Sequence, residues 1–220
     1  MDYISAVQNT FKSNANHEFA FEMSKYMRNL FPFLGIKKPE RAAITNSFFK
    51  KYGFPPISDY EEIVKELYAL EEREYHYFAL DLCLKMKKYW NEESLYLFEW
   101  LILNKSWWDT VDLIASKFVG TYFMLYANDK FEITNAWNKH ENFWLKRTSI
   151  IFQLNYKEKT DEQLLFQFCL NNVNEQEFFI RKAIGWALRQ YARYNPTLVK
   201  DFVMRHNFSG LTKREALKHF

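Results

Sequence analysis

Three short stretches of the 220-residue chain set an aromatic ring one helical turn from a charge. In SWWDTVDLIASKF, Trp108 and Asp112 are four residues apart and share a face of any helix that carries them. Phe143 and Arg147 stand in the same relation in ENFWLKRTSIIF, as do Lys182, Trp186 and Arg189 in FFIRKAIGWALRQYAR. Cations of this kind take phosphates, while aromatic faces contact sugars and bases, so the pattern suits a nucleic acid. Lys105, Lys146, Arg181 and Arg193 add positive charge nearby, with Lys213 and Arg214 close to the C-terminus. Asp112 stands apart, an acid on a face where the equivalent residues are basic. It reads either as a structural partner of Arg147 or as a carboxylate held where a nucleic-acid backbone passes. Aromatics at helical spacing are more often core than site, so each pair taken singly also reads as packing.

What joins the three pairs is a repeat. The segments EYHYFAL (74–80), DTVDLIA (109–115), WLKRTSI (144–150) and FIRKAIG (179–185) align without gaps at a spacing of 35, which makes Tyr77, Asp112, Arg147 and Lys182 equivalent. Burying an unpaired charge costs several kcal/mol, so the three charged positions must pair with one another or face something. Apolar residues recur at three- and four-residue spacing along nearly the whole chain, and clean two-residue alternation is absent. Helix punctuation falls between the runs: Ser58 before DYEEIVKELYAL, Pro39 opening PERAAITNSFFKKY, Asn195-Pro196 before TLVKDFVMRH, and Thr212 before KREALKHF. The reading is all-α, about a dozen helices of roughly 10 to 18 residues, with the longest irregular stretch near residues 31–38. A constant period with one helix pair per unit gives an α-α superhelix, or solenoid, of HEAT-like helical repeats whose equivalent positions line one concave groove. The chain is expected to be a single domain over 1–220, with N-terminal helices and a loop over 1–57 and repeated helix pairs over 58–220.

Composition agrees with long, rarely broken helices: five Gly and five Pro leave little material for Gly-rich phosphate loops or bulged strands, and 20% aromatic residues supply a core. The net charge of +3 conceals a bias, because residues 141–220 balance to +5 and residues 1–140 to −2. A basic C-terminal third points to a polyanion. Cys83 and Cys169 sit in apolar surroundings, outside any CxxC pair, and read as small hydrophobes in a reducing compartment. The five histidines have no metal-ligand spacing, so no metal is expected. Without an apolar signal core or an 18-residue apolar window, the chain reads as soluble and cytoplasmic, associated with the nucleoid in a bacterial setting, with no membrane partner.

The stretches YMRNLFPFLGIKKPER (26–41), LNKSWWDTVD (103–112), WLKRTSIIFQLNYK (144–157) and FFIRKAIGWALRQYA (178–192) closely resemble the AlkD-like DNA alkylpurine glycosylases, in spacing and order as well. KSWWDxVD and KAIGWxLR are the specific signatures, and the resemblance covers essentially the whole chain. It implies a HEAT-like solenoid with DNA in its groove. By the same resemblance Asp112 is the catalytic carboxylate, Trp108 and Trp186 flank the lesion-bearing nucleotide, Arg147 lies beside the acid, and Tyr26 faces the backbone near the lesion. Lys37, Lys38 and Arg41 in the first stretch and Lys105 and Ser106 in the second join Lys146, Lys182, Arg189, Lys213 and Arg214 as expected DNA contacts.

The activity so implied is hydrolysis of the N-glycosidic bond of cationic purines, 3-methyladenine and 7-methylguanine and also bulky adducts, in duplex DNA. The implied enzyme is a monomer without cofactor. A cationic base leaves as a neutral one, so the enzyme must mainly stabilise the oxocarbenium-like sugar and place a water, tasks for one carboxylate. The resemblance implies that this is done with the lesion still stacked, without base flipping. It also has Arg147 fixing the neighbouring phosphate and keeping Asp112 ionised. A bifunctional route would need a Schiff-base lysine, for which Lys182 is the one candidate. Two other readings stay open: a non-catalytic scaffold that binds DNA or senses its structure, and a helical repeat that binds protein.

Overall fold

The computed structural model describes residues 2–220. Among them every regular element is helical, and they gather into two compact units, one ending at Asn91 and one beginning at Glu92. That boundary lies well beyond residue 57, where the sequence sets the change from N-terminal helices to repeats.

The first unit comprises α1 (Tyr3–Lys12), α2 (His17–Tyr26), α3 (Lys38–Tyr52), α4 (Tyr60–Ala69) and α5 (Arg73–Lys85). Edge-to-face rings fill its core: Phe78 of α5 meets Phe11 of α1 at 5.5 Å and Phe48 of α3 at 5.2 Å. The irregular stretch expected near 31–38 runs from the end of α2 to the start of α3, and a buried carboxylate organises it. Glu74, fully buried, accepts the backbone N–H groups of Leu34, Gly35 and Ile36 at 2.9, 2.9 and 3.0 Å. Gly35 is obligatory there, with φ +87° and the position of a Cβ only 1.9 Å from the Asn16 carbonyl oxygen. Pro39 lies in the first turn of α3, as expected. The cap of α4 differs: Asp59 precedes its first turn, and the Ser58 hydroxyl is spent on the Asp59 carboxylate at 2.6 Å.

The second unit begins with α6 (Ser94–Leu103). α7 (Trp108–Leu113), a π-helical stretch over Ile114–Val119 and α8 (Gly120–Leu125) then run on as one rod. There follow α9 (Lys130–Lys139), α10 (Phe143–Ile151) with a 3-10 turn at Phe152–Asn155, α11 (Glu162–Asn171), α12 (Phe178–Tyr191), α13 (Pro196–Arg205) and α14 (Gly210–Ala216). α10 is the middle layer, packed against α7, α9 and α12, and α12 packs in turn on α14. This is the helical-repeat arrangement expected from the 35-residue period. The last helix starts earlier than the sequence suggests. Ser209 caps it by accepting the Thr212 N–H at 3.1 Å, and Thr212 lies inside it, with its hydroxyl reaching the Arg181 carbonyl. Gly185 lets α14 approach α12, since a Cβ at that position would stand 2.4 Å from the Glu215 Cβ and 3.0 Å from the Thr212 carbonyl oxygen. Both cysteines are buried and free.

Candidate functional site

α7 begins abruptly because Trp107 is extended, at φ −156° and ψ 162°, while its carbonyl accepts the N–H groups of Thr110 and Val111. The Trp107 ring packs against Trp144 at 5.8 Å and Phe179 at 5.1 Å, which fixes the start of the helix. Trp108, half-buried, is the first helical residue, and Asp112 lies one turn on along the same face.

Asp112 meets Arg147 of α10 side on. Arg147 Nε donates to Asp112 Oδ1 at 2.7 Å and Nη2 donates to Oδ2 at 2.9 Å, the fork geometry of a strong charge-assisted pair. The remaining terminal nitrogen, Nη1, donates to the Phe179 carbonyl oxygen in the first turn of α12. One side chain thereby ties α7, α10 and α12 together. Its exposure is 5%, against 17% for Asp112. Burial pushes the Asp112 carboxyl above its ordinary value of 3.8, and the Arg147 pair pulls against that shift. The ion pair anticipated from the 35-residue spacing is therefore present. Arg147 is buried, and each of its three nitrogens donates one bond within the protein, which leaves one further N–H on each terminal nitrogen.

Phe143, paired with Arg147 in the sequence pattern, belongs to the packing. Half-buried, it stacks parallel to Phe179 at 6.2 Å and meets Trp144 at 4.6 Å. Trp186, also half-buried, rests on the core of α10, α12 and α13 next to Gly185.

The cations expected to hold DNA divide into two groups. Some are engaged within the protein: Lys182 Nζ and Arg189 Nη1 each bond Glu215 of α14 at 2.8 Å, and Lys146 Nζ bonds Glu175 at 2.9 Å. The bonds from Lys182 and Arg189 hold the Glu215 carboxyl down to about 2. Arg181 turns to the Glu175 carbonyl and to Gln176. Others differ in exposure: Lys105 and Arg214 are exposed and Lys213 is half-buried, while the Ser106 hydroxyl returns to the Ile102 carbonyl at 2.5 Å.

In the first unit Tyr26 is 75% exposed at the end of α2. Lys37 lies over the Phe19 ring at 3.5 Å, Lys38 is exposed, and Arg41 stacks on Tyr77 at 4.0 Å. The Glu74 nest holds residues 34–36, in the loop between Tyr26 and the start of α3. Sequence reasoning missed Glu74, at the head of the first repeat segment, and Glu175 and Glu215, which lie outside the aligned segments. It also missed the π-helical stretch that starts two residues after Asp112. Among the described residues no group of His, Cys, Asp and Glu could hold a metal ion, and no helix is long and apolar enough to cross a membrane.

No curated protein matches the chain. Among solved structures, a protein described as a predicted DNA alkylation repair enzyme from Enterococcus faecalis is 36% identical, with a TM-score of 0.87 over 94% of this chain and 96% of that one. The structure of smu.31 from Streptococcus mutans UA159 shares the fold, at 15% identity and a TM-score of 0.61 over 82% of this chain and 97% of that one. The family described as DNA alkylation repair enzyme matches residues 7–220. With that match spanning both units, the chain belongs to the DNA alkylation repair enzyme family.

Proposed function

We propose that this member of a DNA repair family is a monofunctional glycosylase that hydrolyses the N-glycosidic bond of cationic alkylated purines in duplex DNA, with 3-methyladenine and 7-methylguanine as its simplest substrates. The observation that carries the reading is the forked Asp112–Arg147 pair. A carboxylate has about four lone-pair sites. Arg147 occupies one on each oxygen and leaves the others for the sugar and a water, while the fork fixes the plane of the carboxylate.

The chemistry asked of that carboxylate is limited. A cationic purine already carries the charge that an acid would otherwise have to supply, and it departs neutral as its bond to C1′ breaks. Positive charge then grows on the sugar. Asp112 stabilises that charge and orients the water that attacks C1′, with the proton of the water passing to the carboxylate or to solvent. The faces of Trp108 and Trp186 offer negative quadrupole to the same cationic sugar. Nothing in this chemistry needs contacts to the edges of the base. A lesion that stays stacked, bulky adducts included, fits it, and neutral lesions should react poorly.

The test is base release from methylated duplex DNA. Asp112→Asn keeps the shape and removes the charge, so release should fall about a hundredfold or more while DNA affinity changes little. An ammonium bonded to a carboxylate is no nucleophile, so Lys182 should form no borohydride-trapped adduct. A wild-type protein that binds the DNA and releases no base would replace this reading with the binding scaffold.

A further inference from the structure

The rod that carries Asp112 is held at two points by one neighbouring segment. The first point is Asp112 itself, bonded by Arg147 of α10. The second spans the later part of the π-helical stretch and its end, where the continuation of α10 through Phe152–Tyr156 meets residues 116–120. Tyr156, buried, donates its hydroxyl to the Gly120 carbonyl oxygen at 2.7 Å. Asn155 Nδ2 donates to the Ser116 carbonyl oxygen at 2.9 Å. The Phe152 carbonyl oxygen comes so near Gly120 that a Cβ there would lie 2.4 Å from it.

The rod between Asp112 and Gly120 has π geometry over Ile114–Val119: the Gly120 N–H reaches back five residues to the Ala115 carbonyl oxygen. A π turn accommodates one residue more than an α-helix of the same path, and a residue of α-helix corresponds to about 100° of rotation. Run back from α8 as a plain α-helix, the rod would therefore present Leu113 roughly where Asp112 stands. The π turn decides which side chain faces Arg147. Such turns are intrinsically less favourable than α-helix and persist where surrounding contacts hold them. Within the rod, the Ser116 hydroxyl donates to the Asp112 carbonyl oxygen at 2.7 Å, one turn back.

We infer that Tyr156 and Asn155 are positioning residues for Asp112: by holding the π turn in register they keep the carboxylate, rather than Leu113, opposite Arg147. The consequence for catalysis rests on the glycosylase reading above; the consequence for the ion pair does not. Both ends of the bracket belong to one segment, Arg147 on α10 and Tyr156 on its extension, so the spacing between the ion pair and the clamp is fixed by a single piece of chain.

The experiment measures the two consequences separately. The Arg147 Nε–H resonance in a ¹⁵N spectrum reports the bond to Asp112 Oδ1 without any DNA present. In Tyr156→Phe, and more mildly in the solvent-exposed Asn155→Ala, that resonance should shift toward the position of an unbonded guanidinium and its proton should exchange faster. Tyr122→Phe is the control. It removes a hydroxyl from α8 that bonds the Glu92 carbonyl instead, at 3.0 Å, and should leave the resonance in place. In single-turnover base release Tyr156→Phe should slow the rate about tenfold or more with unchanged affinity for uncleavable DNA. An Arg147 resonance unmoved in folded Tyr156→Phe and Asn155→Ala, or moved equally by Tyr122→Phe, would overturn the inference. Absence of base release by the wild type would instead count against the glycosylase reading, and the resonance would still decide the clamp.

Discussion

At the scale of single residues, the decisive balance is between burial and the arginine at Asp112. Burial alone would favour the neutral acid, and the forked guanidinium favours the carboxylate; the net position lies above an ordinary aspartate. The sign of the pH effect follows. Stabilising a cationic sugar requires the ionised form, so activity should be present above the raised value and fall as pH drops through it. Single-turnover release measured against pH should show an acid limb displaced upward from 3.8, the ordinary aspartate value. Arg147→Lys keeps the positive charge but loses the fork, and should weaken the pull that opposes burial and move the limb further toward neutral pH. A limb at the same pH in both proteins would show that another group sets it. Arg147 itself illustrates how far sequence reaches. Its partnership with Asp112 could be read from a spacing of 35 and two opposite charges, whereas its third bond, to a backbone carbonyl of α12, leaves no mark in residue types. A phosphate contact and a buried fork look alike until exposure is known.

At the scale of elements, Gly185 and the π turn mark the two limits of what the sequence discloses. A glycine inside KAIGWALR invites the question of what it permits, and the answer is the close seat of α14 on α12. Gly185→Ala should cost about 2 kcal/mol or more in urea unfolding, because the neighbours a Cβ would meet include the backbone of α14, which cannot swing aside as a side-chain tip can. The same substitution should loosen the bonds from Glu215 to Lys182 and Arg189, since Glu215 is the residue displaced. An alanine protein as stable as the wild type would mean that α14 shifts freely along α12. The π turn had no such signal. One extra residue in an apolar stretch such as LIASKFVG alters no periodicity long enough to count, and what reveals it is a hydrogen bond reaching back five residues. Caps fall between these limits. Ser209 and Thr212 are both hydroxyl residues before a helical run, three positions apart, and only the direction of the bond between them identifies the cap.

At the scale of the whole molecule, the question is how much of the positive charge in the C-terminal third is available to a polyanion. The count of +5 over residues 141–220 was plain in the sequence. Its distribution was not, because Glu215 lies on the last helix, outside the phase in which Lys182 and Arg189 were grouped. Held down to about 2, the Glu215 carboxyl stays charged throughout the range in which DNA is bound, so those two cations share one permanent counter-charge. Glu175 does the same for Lys146. DNA would have to compete with these carboxylates for phosphate contacts, and the salt dependence of binding measures the outcome. Each phosphate neutralised contributes about −0.9 to the slope of log affinity against log salt. Glu215→Gln removes the counter-charge, and if Lys182 and Arg189 lie against the backbone it should raise affinity for undamaged duplex at low salt and steepen the slope by about one to two. The same substitution should cost on the order of 2 kcal/mol of stability at neutral pH, a loss that shrinks as pH falls from about 4.5 toward about 2, where the wild-type carboxylate is itself being neutralised. A slope unchanged in Glu215→Gln would place both cations away from DNA and leave Glu215 a purely structural tie between α12 and α14.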